Sequence, residues 1–153
     1  MAKNTSLKDL AIKYGDVDSS YVARIIRRFT SLRSVNFHGN SLQNISAFNE
    51  LLVENQLQCL DVYDNEVGET DMKSFMTNLP ATRSLRYIGL SENPFLASKS
   101  CVRMLEDWVS RNTSLEILKC FNPEQDGDED WEEYYDKTFL VLLSLNRAGR
   151  QYL

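Results

Sequence analysis

A nine-residue pattern recurs along the chain, and it constrains the fold more than any other feature of the sequence. Apolar residues occupy its first, fourth and sixth positions, and asparagine occupies the ninth position of three copies. The clear copies begin at Leu32, Leu57, Leu85 and Leu115, and a degenerate copy begins at Leu7. Successive copies start 25, 25, 28 and 30 residues apart. A period of this length predicts a repeat architecture, in which each repeat is one structural unit stacked on the next.

Each repeat is expected to combine a short strand with a helix. The fourth and sixth positions point to one face of a strand, because side chains alternate along a strand. A strand and a helix of this size bury their apolar faces only by stacking on neighbouring repeats. The asparagines suit the turn after each strand, where an amide can satisfy buried backbone groups. Between the copies, apolar residues recur with helical spacing in four stripes: Val22, Ile25, Ile26 and Phe29; Phe48, Leu51 and Leu52; Met72, Phe75, Met76 and Leu79; and Val102, Leu105, Trp108 and Val109.

With these copies the chain resembles the leucine-rich repeat family, in particular the ribonuclease-inhibitor-like class with long repeats and true helices. The resemblance covers nearly the whole chain. It implies an α/β leucine-rich-repeat solenoid, a right-handed β-α superhelix with five short parallel strands on the concave face and helices on the convex face. It also implies a single domain over residues 1–153, with repeats near 7–31, 32–56, 57–84, 85–114 and 115–153. Two copies depart from the pattern: Gly15 replaces asparagine in the first, and Pro123 replaces it in the last, with Asn122 one place early.

The last repeat is expected to act as a C-terminal cap. The segment from Asp130 to Glu133 can serve as a capping box at the start of a helix. After it, apolar residues recur on one expected helical face, at Trp131, Tyr135, Phe139, Leu142 and Leu145. Such a helix would cover the end of the stacked core.

The residues between the inward positions define a predicted binding surface. The third, fifth and seventh positions of each copy point outward on the concave sheet. Large apolar residues at such positions are typical anchors of protein interfaces, and nearby acids favour a partner with lysine or arginine. Gly89 is expected to leave a depression among them. The predicted partner-binding residues are Tyr63, Tyr87, Phe121, Ile117, Asp61, His38, Asp64, Glu92 and Lys119. Alternatively, the aromatic residues are ordinary strand formers scattered on the surface.

The net charge of −5 comes from one acidic segment. Residues 124–133 contain seven acids and no base, whereas in the rest of the chain bases outnumber acids by 17 to 15. We expect this segment to be a solvated or charge-steering loop; the alternative is a cation site, although the spacing is not that of an EF-hand. Residues 1–35 carry seven bases and three acids. Among them, Arg24, Arg27 and Arg28 are expected to form a solvated convex face, the alternative being a contact with an acidic partner or a membrane surface.

The sequence lacks the residues that most enzymes need. His38 is the only histidine, which argues against most metal sites and acid–base mechanisms. Phosphate-binding glycine loops, serine elbows and HExxH motifs are absent, and no basic stripe with interleaved aromatics indicates nucleic-acid binding. We therefore expect no enzymatic activity, no cofactor and no nucleic-acid partner. Three cysteines without CxxC spacing indicate free thiols, and neither a secretory signal nor a membrane-spanning apolar run is present, so we expect a cytoplasmic protein.

These features together predict a non-catalytic module that binds a partner protein through the concave sheet and its rim loops. The alternative from another class is a structural or scaffold subunit of a larger multiprotein assembly, with contacts made by the repeat ends, the arginines and the acidic segment. A third alternative, suggested by the resemblance alone, is an enzyme inhibitor. The sequence leaves the oligomeric state and the partner's identity open.

Overall fold

The chain folds around one five-stranded parallel sheet. A computed structural model describes residues 4–54, 56–79, 82–120 and 136–148. The strands lie side by side in chain order: β1 (Asp9–Ala11), β2 (Ser34–Asn36), β3 (Cys59–Asp61), β4 (Tyr87–Gly89) and β5 (Ile117–Lys119). The helices are α1 (Ser19–Ile26), α2 (Asn49–Val53), α3 (Glu69–Thr77), α4 (Lys99–Arg111) and α5 (Val141–Arg147). Short 3₁₀ turns cover Ser46–Phe48 and Pro94–Ala97, and a π-helical turn covers Asp136–Leu140. The α/β class and the five parallel strands expected from the sequence are confirmed.

The strand register aligns the equivalent positions of all five copies. The fourth positions form one continuous row across the sheet, consisting of Leu10, Val35, Leu60, Ile88 and Leu118. From β2 to β5 this row is at most 2% exposed, and it shares one core with the buried residues of the helices. The predicted alternation is therefore confirmed: one face of the sheet packs against the helices, and the other face, here called the open face, carries the third, fifth and seventh positions.

The ninth-position asparagines join the ends of neighbouring strands. Asn65 is buried, and its amide nitrogen donates to the carbonyls of Val62 and Tyr63 at 3.0 Å and to the carbonyl of Phe37 on the preceding copy at 2.9 Å. Its side-chain oxygen accepts the backbone N–H of Leu42 at 3.0 Å. Equivalent bonds are made by Asn40 and Asn93. The role predicted for these asparagines is confirmed, since each satisfies backbone groups of two consecutive copies.

The eighth position of four copies has a left-handed backbone. Its φ angles lie between 52° and 66° at Tyr14, Gly39, Asp64 and Glu92. Glycine adopts this conformation at no steric cost, whereas other residues adopt it only where the surrounding structure imposes it. Because the same turn forms with four different residue types, the stacked asparagines and strands, and not the local sequence, set its geometry.

The C-terminal helix packs on α4, but its buried residues lie one position after those expected from the sequence. Phe139 and Leu143 are buried, whereas Leu145 is 38% exposed, so the prediction that Leu145 lies on the buried face is wrong. The reason is the helical turn of about 100° per residue, which brings Leu143 and Asn146 back to the face of Phe139 and leaves Leu145 about 120° away from it. The other expected cap residues, Trp131 and Tyr135, and the turn residues Asn122 and Pro123, lie outside the described residues.

The helices test the expectation that no segment of the chain spans a membrane. Within residues 4–54, 56–79, 82–120 and 136–148, no helix has the length and apolar character needed to cross a bilayer.

Candidate functional site

The structure places most of the predicted binding residues on or beside the open face. His38 and Tyr63 occupy its seventh-position row, and Asp61 and Lys119 its fifth-position row. Tyr87 and Ile117 are paired neighbours in the third-position row. Asp64 and Glu92 lie at the adjoining rim, in the left-handed turn. All of these side chains are half-buried or exposed, with Ile117 at 42% exposure, whereas Phe121 lies outside the described residues.

Three aromatic rings form a row across the first three strands. The rings of His38 and Tyr63 meet edge to face, with centroids 4.4 Å apart, and the rings of Tyr14 and His38 lie 4.8 Å apart. The hydroxyl of Tyr14 and Nε2 of His38 share a hydrogen bond of 2.9 Å. Edge-to-face contacts at this spacing are favourable beyond the area that they bury. This aromatic row is therefore a pre-formed surface feature rather than a set of independent side chains.

Tyr14 is the member of the aromatic row that the sequence did not identify as a binding residue. Its ring lies against Gly39: a Cβ atom at Gly39 would stand 2.4 Å from Cδ1 of Tyr14. Only glycine leaves room for this ring, and it also suits the φ of 66° at that position. The sequence did contain a signal for this contact. Tyr14 and Gly39 occupy the eighth positions of consecutive copies, so an aromatic residue in one copy lies beside a glycine in the next.

Tyr63 continues the row by a hydrogen bond to the rim. Its hydroxyl donates to the carboxylate of Glu92. This bond to an anionic acceptor, together with burial and the charges of Glu92 and Asp64, raises the pKa of Tyr63 to about 12. Both ends of the Tyr63 side chain are thus held, the ring by His38 and the hydroxyl by Glu92.

Replacement of Glu92 by glutamine is expected to lower the pKa of Tyr63 toward 10, because the main cause of the elevation is lost. The pKa of Tyr87, which burial and the charge of Asp61 raise to about 12, should not move. Because the pKa of Tyr63 is raised in the folded protein, its hydrogen bond to Glu92 stabilises the fold fully below pH 10. This stabilisation is lost as the pH rises through about 12. Ultraviolet titration, with Tyr63→Phe to identify the signal, measures both groups. An unchanged Tyr63 midpoint in Glu92→Gln would contradict this assignment.

The fifth-position row is held by its own hydrogen bonds. Nδ2 of Asn36 donates to the Asp61 carboxylate at 3.1 Å, and the backbone N–H of Tyr63 donates to the same carboxylate at 3.2 Å. The predicted depression at Gly89 is not open: a Cβ there would lie 2.4 Å from Oδ1 of Asp61 and 3.0 Å from the Tyr87 hydroxyl. The missing side chain of Gly89 accommodates these two groups, so the prediction of an empty depression is wrong.

The acids of the site differ in their availability to a partner. Asp61 and Glu92 already accept hydrogen bonds within the fold. Asp64 is exposed, and among the described residues none donates a hydrogen bond to its carboxylate. Lys13 and Lys119, both exposed, carry positive charge at the two ends of the open face. The middle strands therefore carry acids, the β1 margin carries Asp9 as well as Lys13, and the β5 margin carries Lys119.

The thiols show no sign of activation. Cys59, Cys101 and Cys120 are free, and Cys59 is half-buried on the open face. Burial raises the pKa of the Cys59 thiol, and the charges of Asp61 and Asp9 act in the same direction, although a hydrogen bond with Ser34 opposes them. Burial also raises the pKa of Cys120. A nucleophilic cysteine requires the opposite shift. Within the described ranges, no three metal-ligating side chains cluster around a common point.

No protein-family model matches the chain, and a search of curated proteins finds no significantly similar sequence.

Proposed function

We propose that the chain is a non-catalytic protein-binding module of the leucine-rich-repeat type, which recognises a partner protein through the open face and its rim. In this proposal the five strands line the concave side of a right-handed β-α solenoid, the helices lie on the convex side, and residues 1–153 form one domain. The chain-order parallel sheet, the buried asparagines and the repeated left-handed turn support the architecture.

The main support for the proposal is that the open face presents large apolar and aromatic side chains in fixed positions. Tyr63 is held by His38 and Glu92, and Tyr87 lies over Gly89 beside the exposed Ile117. Tyrosine and other aromatic residues dominate binding energy at protein interfaces. Side chains that are already ordered lose little conformational entropy when a partner docks. These residues therefore suit a pre-formed interface better than a solvated surface.

The charges indicate the chemistry of the partner. Asp64 is the most available acid, and it lies next to Tyr63, whose ring face can also contact a cation. A lysine or arginine of the partner would contact both groups. Such charge pairs at a partly exposed surface mainly set orientation and association rate. We infer that the partner presents a basic residue to the middle strands and apolar side chains to Tyr87 and Ile117.

We also propose that the module is not an enzyme and that it resides in a reducing compartment. The thiols of Cys59 and Cys120 have raised pKa values, whereas a nucleophilic cysteine has a lowered one. Free cysteines are typical of proteins from reducing compartments, which supports the cytoplasm as the proposed location.

The proposed function is tested by tagging the chain and recovering its partner reversibly. We expect a defined protein to be captured from native extract, identified by mass spectrometry, and released as the salt concentration rises, because charge pairs near a surface are screened. A fraction of the chain should elute near its monomer mass of 17.7 kDa in size-exclusion chromatography.

A structural subunit of a larger assembly remains the second candidate, and one feature favours it. Leu140, Val141 and Leu145 are 42%, 53% and 38% exposed beside a groove between α4 and the C-terminal helix. This apolar surface lies apart from the open face and would be covered in a permanent complex. Elution of all the protein in a high-mass complex that salt does not dissociate would favour this candidate over a reversible binding module.

A further inference from the structure

The junctions between copies share one backbone arrangement. The carbonyl at the second position of each copy accepts two backbone N–H groups from the next copy. The Lys8 carbonyl accepts those of Arg33 and Ser34 at 2.7 and 3.0 Å. The Arg33 carbonyl accepts those of Gln58 and Cys59 at the same two distances. The pairs β3–β4 and β4–β5 repeat the arrangement. Every strand after β1 therefore uses the N–H groups at its second and third positions to bond the strand before it.

At the last strand, a side chain takes the place of the next copy. The carbonyl of Glu116 accepts Nε and Nη2 of Arg147 at 3.0 and 2.7 Å. The neighbouring Leu115 carbonyl accepts Nδ2 of Asn146 at 2.7 Å. The two guanidinium N–H groups reproduce the pair of backbone N–H groups that a further strand would donate. The C-terminal helix thus closes the start of the sheet edge at β5.

The edge at β1 has no equivalent closure among the described residues. β1 is the terminal strand of the sheet. The N–H groups of Lys8 and Asp9 correspond to those that bond the preceding strand in every other copy. The N–H of Ala11 also points to this edge, because the adjacent Ile12 donates to Asn36 of β2. We call this set of outward backbone groups the free edge.

The core is also incomplete at the free edge. Leu10 and Ile12 are half-buried, whereas the corresponding residues of the other four copies are at most 2% exposed. Unpaired strand edges next to uncovered apolar residues are templates for pairing with another chain. Natural proteins use such edges to bind extended peptides by strand addition.

The charges at this end of the molecule favour an acidic occupant. Residues 1–35 carry seven bases and three acids. Two of the acids are engaged within the fold: Asp16 accepts a hydrogen bond from Ser41, and Asp18 caps α1. The third acid, Asp9, is exposed on β1 between Lys8 and Lys13, so the charge along the strand is +1. Lys8 and Lys13 are exposed at the two ends of β1.

We propose that the free edge binds an extended acidic segment of another protein, which adds one parallel strand beside β1. The segment's carbonyl groups accept the N–H groups of Lys8, Asp9 and Ala11, its apolar residues cover Leu10 and Ile12, and its carboxylates pair with Lys8 and Lys13. The free edge lies at β1, where Lys13 belongs to both surfaces, but it includes none of Tyr63, Tyr87 and Ile117, so the two proposals can be tested separately.

The probe is a blocked synthetic nonapeptide that alternates valine with glutamate. Its addition is expected to slow the hydrogen exchange of the Lys8, Asp9 and Ala11 amides, followed by NMR. Ala11→Pro removes one outward N–H without removing a bond to β2 and should weaken binding about tenfold. Ala11→Val, which keeps the N–H, is the matched control and should bind as the wild type does. Lys8→Glu with Lys13→Glu should also weaken binding at least about tenfold and reverse its salt dependence, because the charges then repel each other.

Several results would overturn the proposal. One is equal binding of a peptide with lysine in place of glutamate. Another is wild-type affinity in the Lys8→Glu/Lys13→Glu variant, which decides the matter even if Ala11→Pro fails to fold. A third is slow exchange of the three amides in the peptide-free protein, which would show that the edge is already covered by this chain or by a second copy. Tyr63→Ala should leave peptide binding unchanged, so failure of the open-face proposal would not affect this outcome.

Discussion

Replacement of Asn65 by alanine is expected to lower the free energy of unfolding by about 3–5 kcal/mol. The amide of Asn65 makes four hydrogen bonds, which join Tyr63 and Val62 to Phe37 and Leu42 of the preceding copy. Alanine leaves the buried N–H of Leu42 without a partner, which costs about 1–3 kcal/mol. The carbonyls of Phe37, Val62 and Tyr63 each keep one other donor and lose one hydrogen bond, at about 0.5–1.5 kcal/mol apiece. The full cost is not simply additive, because part of the turn can relax. Urea unfolding monitored by circular dichroism measures the change.

Asn44→Ala is the matched control for this effect. Asn44 is exposed, and among the described residues its side chain accepts only the backbone N–H of Ser46, at 2.8 Å. Its replacement should cost less than about 1 kcal/mol, since water can take over the lost bond. Equal losses in the two variants would show that the buried asparagines do not join the copies.

The arrangement of the strands was predictable from sequence for a physical reason. Residues such as Leu60 and Val62 must alternate with outward residues to reach the core, and a period of 25 to 30 residues places each copy beside the next. In the structure, third positions pair with third positions and fifth with fifth in adjacent strands, as this pattern predicts. The repeat also has an apolar residue two places after each asparagine, and the sequence prediction missed it. These residues are buried: Leu42, Val67 and Phe95.

The details of the open face were not predictable, because they depend on contacts between copies. Tyr14 reaches His38 only because Gly39 leaves room for its ring. The space at Gly89 is occupied because Asp61 and Tyr87 both approach it from neighbouring positions. A linear pattern assigns a side chain to a face, but it does not say which neighbour the side chain contacts.

The C-terminal helix shows a second limit. A helical period of 3.6 residues returns the fourth and seventh residues after Phe139 to its face, whereas a spacing of three residues drifts away from that face. Leu143 and Asn146 therefore point inward and Leu145 does not. A stripe chosen from apolar residues alone passes over the buried polar Asn146.

The double replacement Tyr63→Ala and Ile117→Ala is expected to weaken binding of the captured partner by more than about 100-fold. Truncation of an aromatic anchor at an interface typically costs about 2–4 kcal/mol, and 1.4 kcal/mol corresponds to a factor of about ten in affinity. Both side chains are at least partly exposed, so their loss should cost the free protein far less than a core replacement. Circular dichroism and urea unfolding establish that the variant is folded.

Tyr21→Ala is the matched control, because Tyr21 is a tyrosine on α1, away from the open face, and its 42% exposure equals that of Ile117. The most direct measurement is the dissociation constant of the captured partner, determined by titration against the wild type, the double variant and Tyr21→Ala. Binding through the open face predicts a loss of more than about 100-fold in the double variant and wild-type affinity in the control. Wild-type affinity in a folded double variant would contradict it.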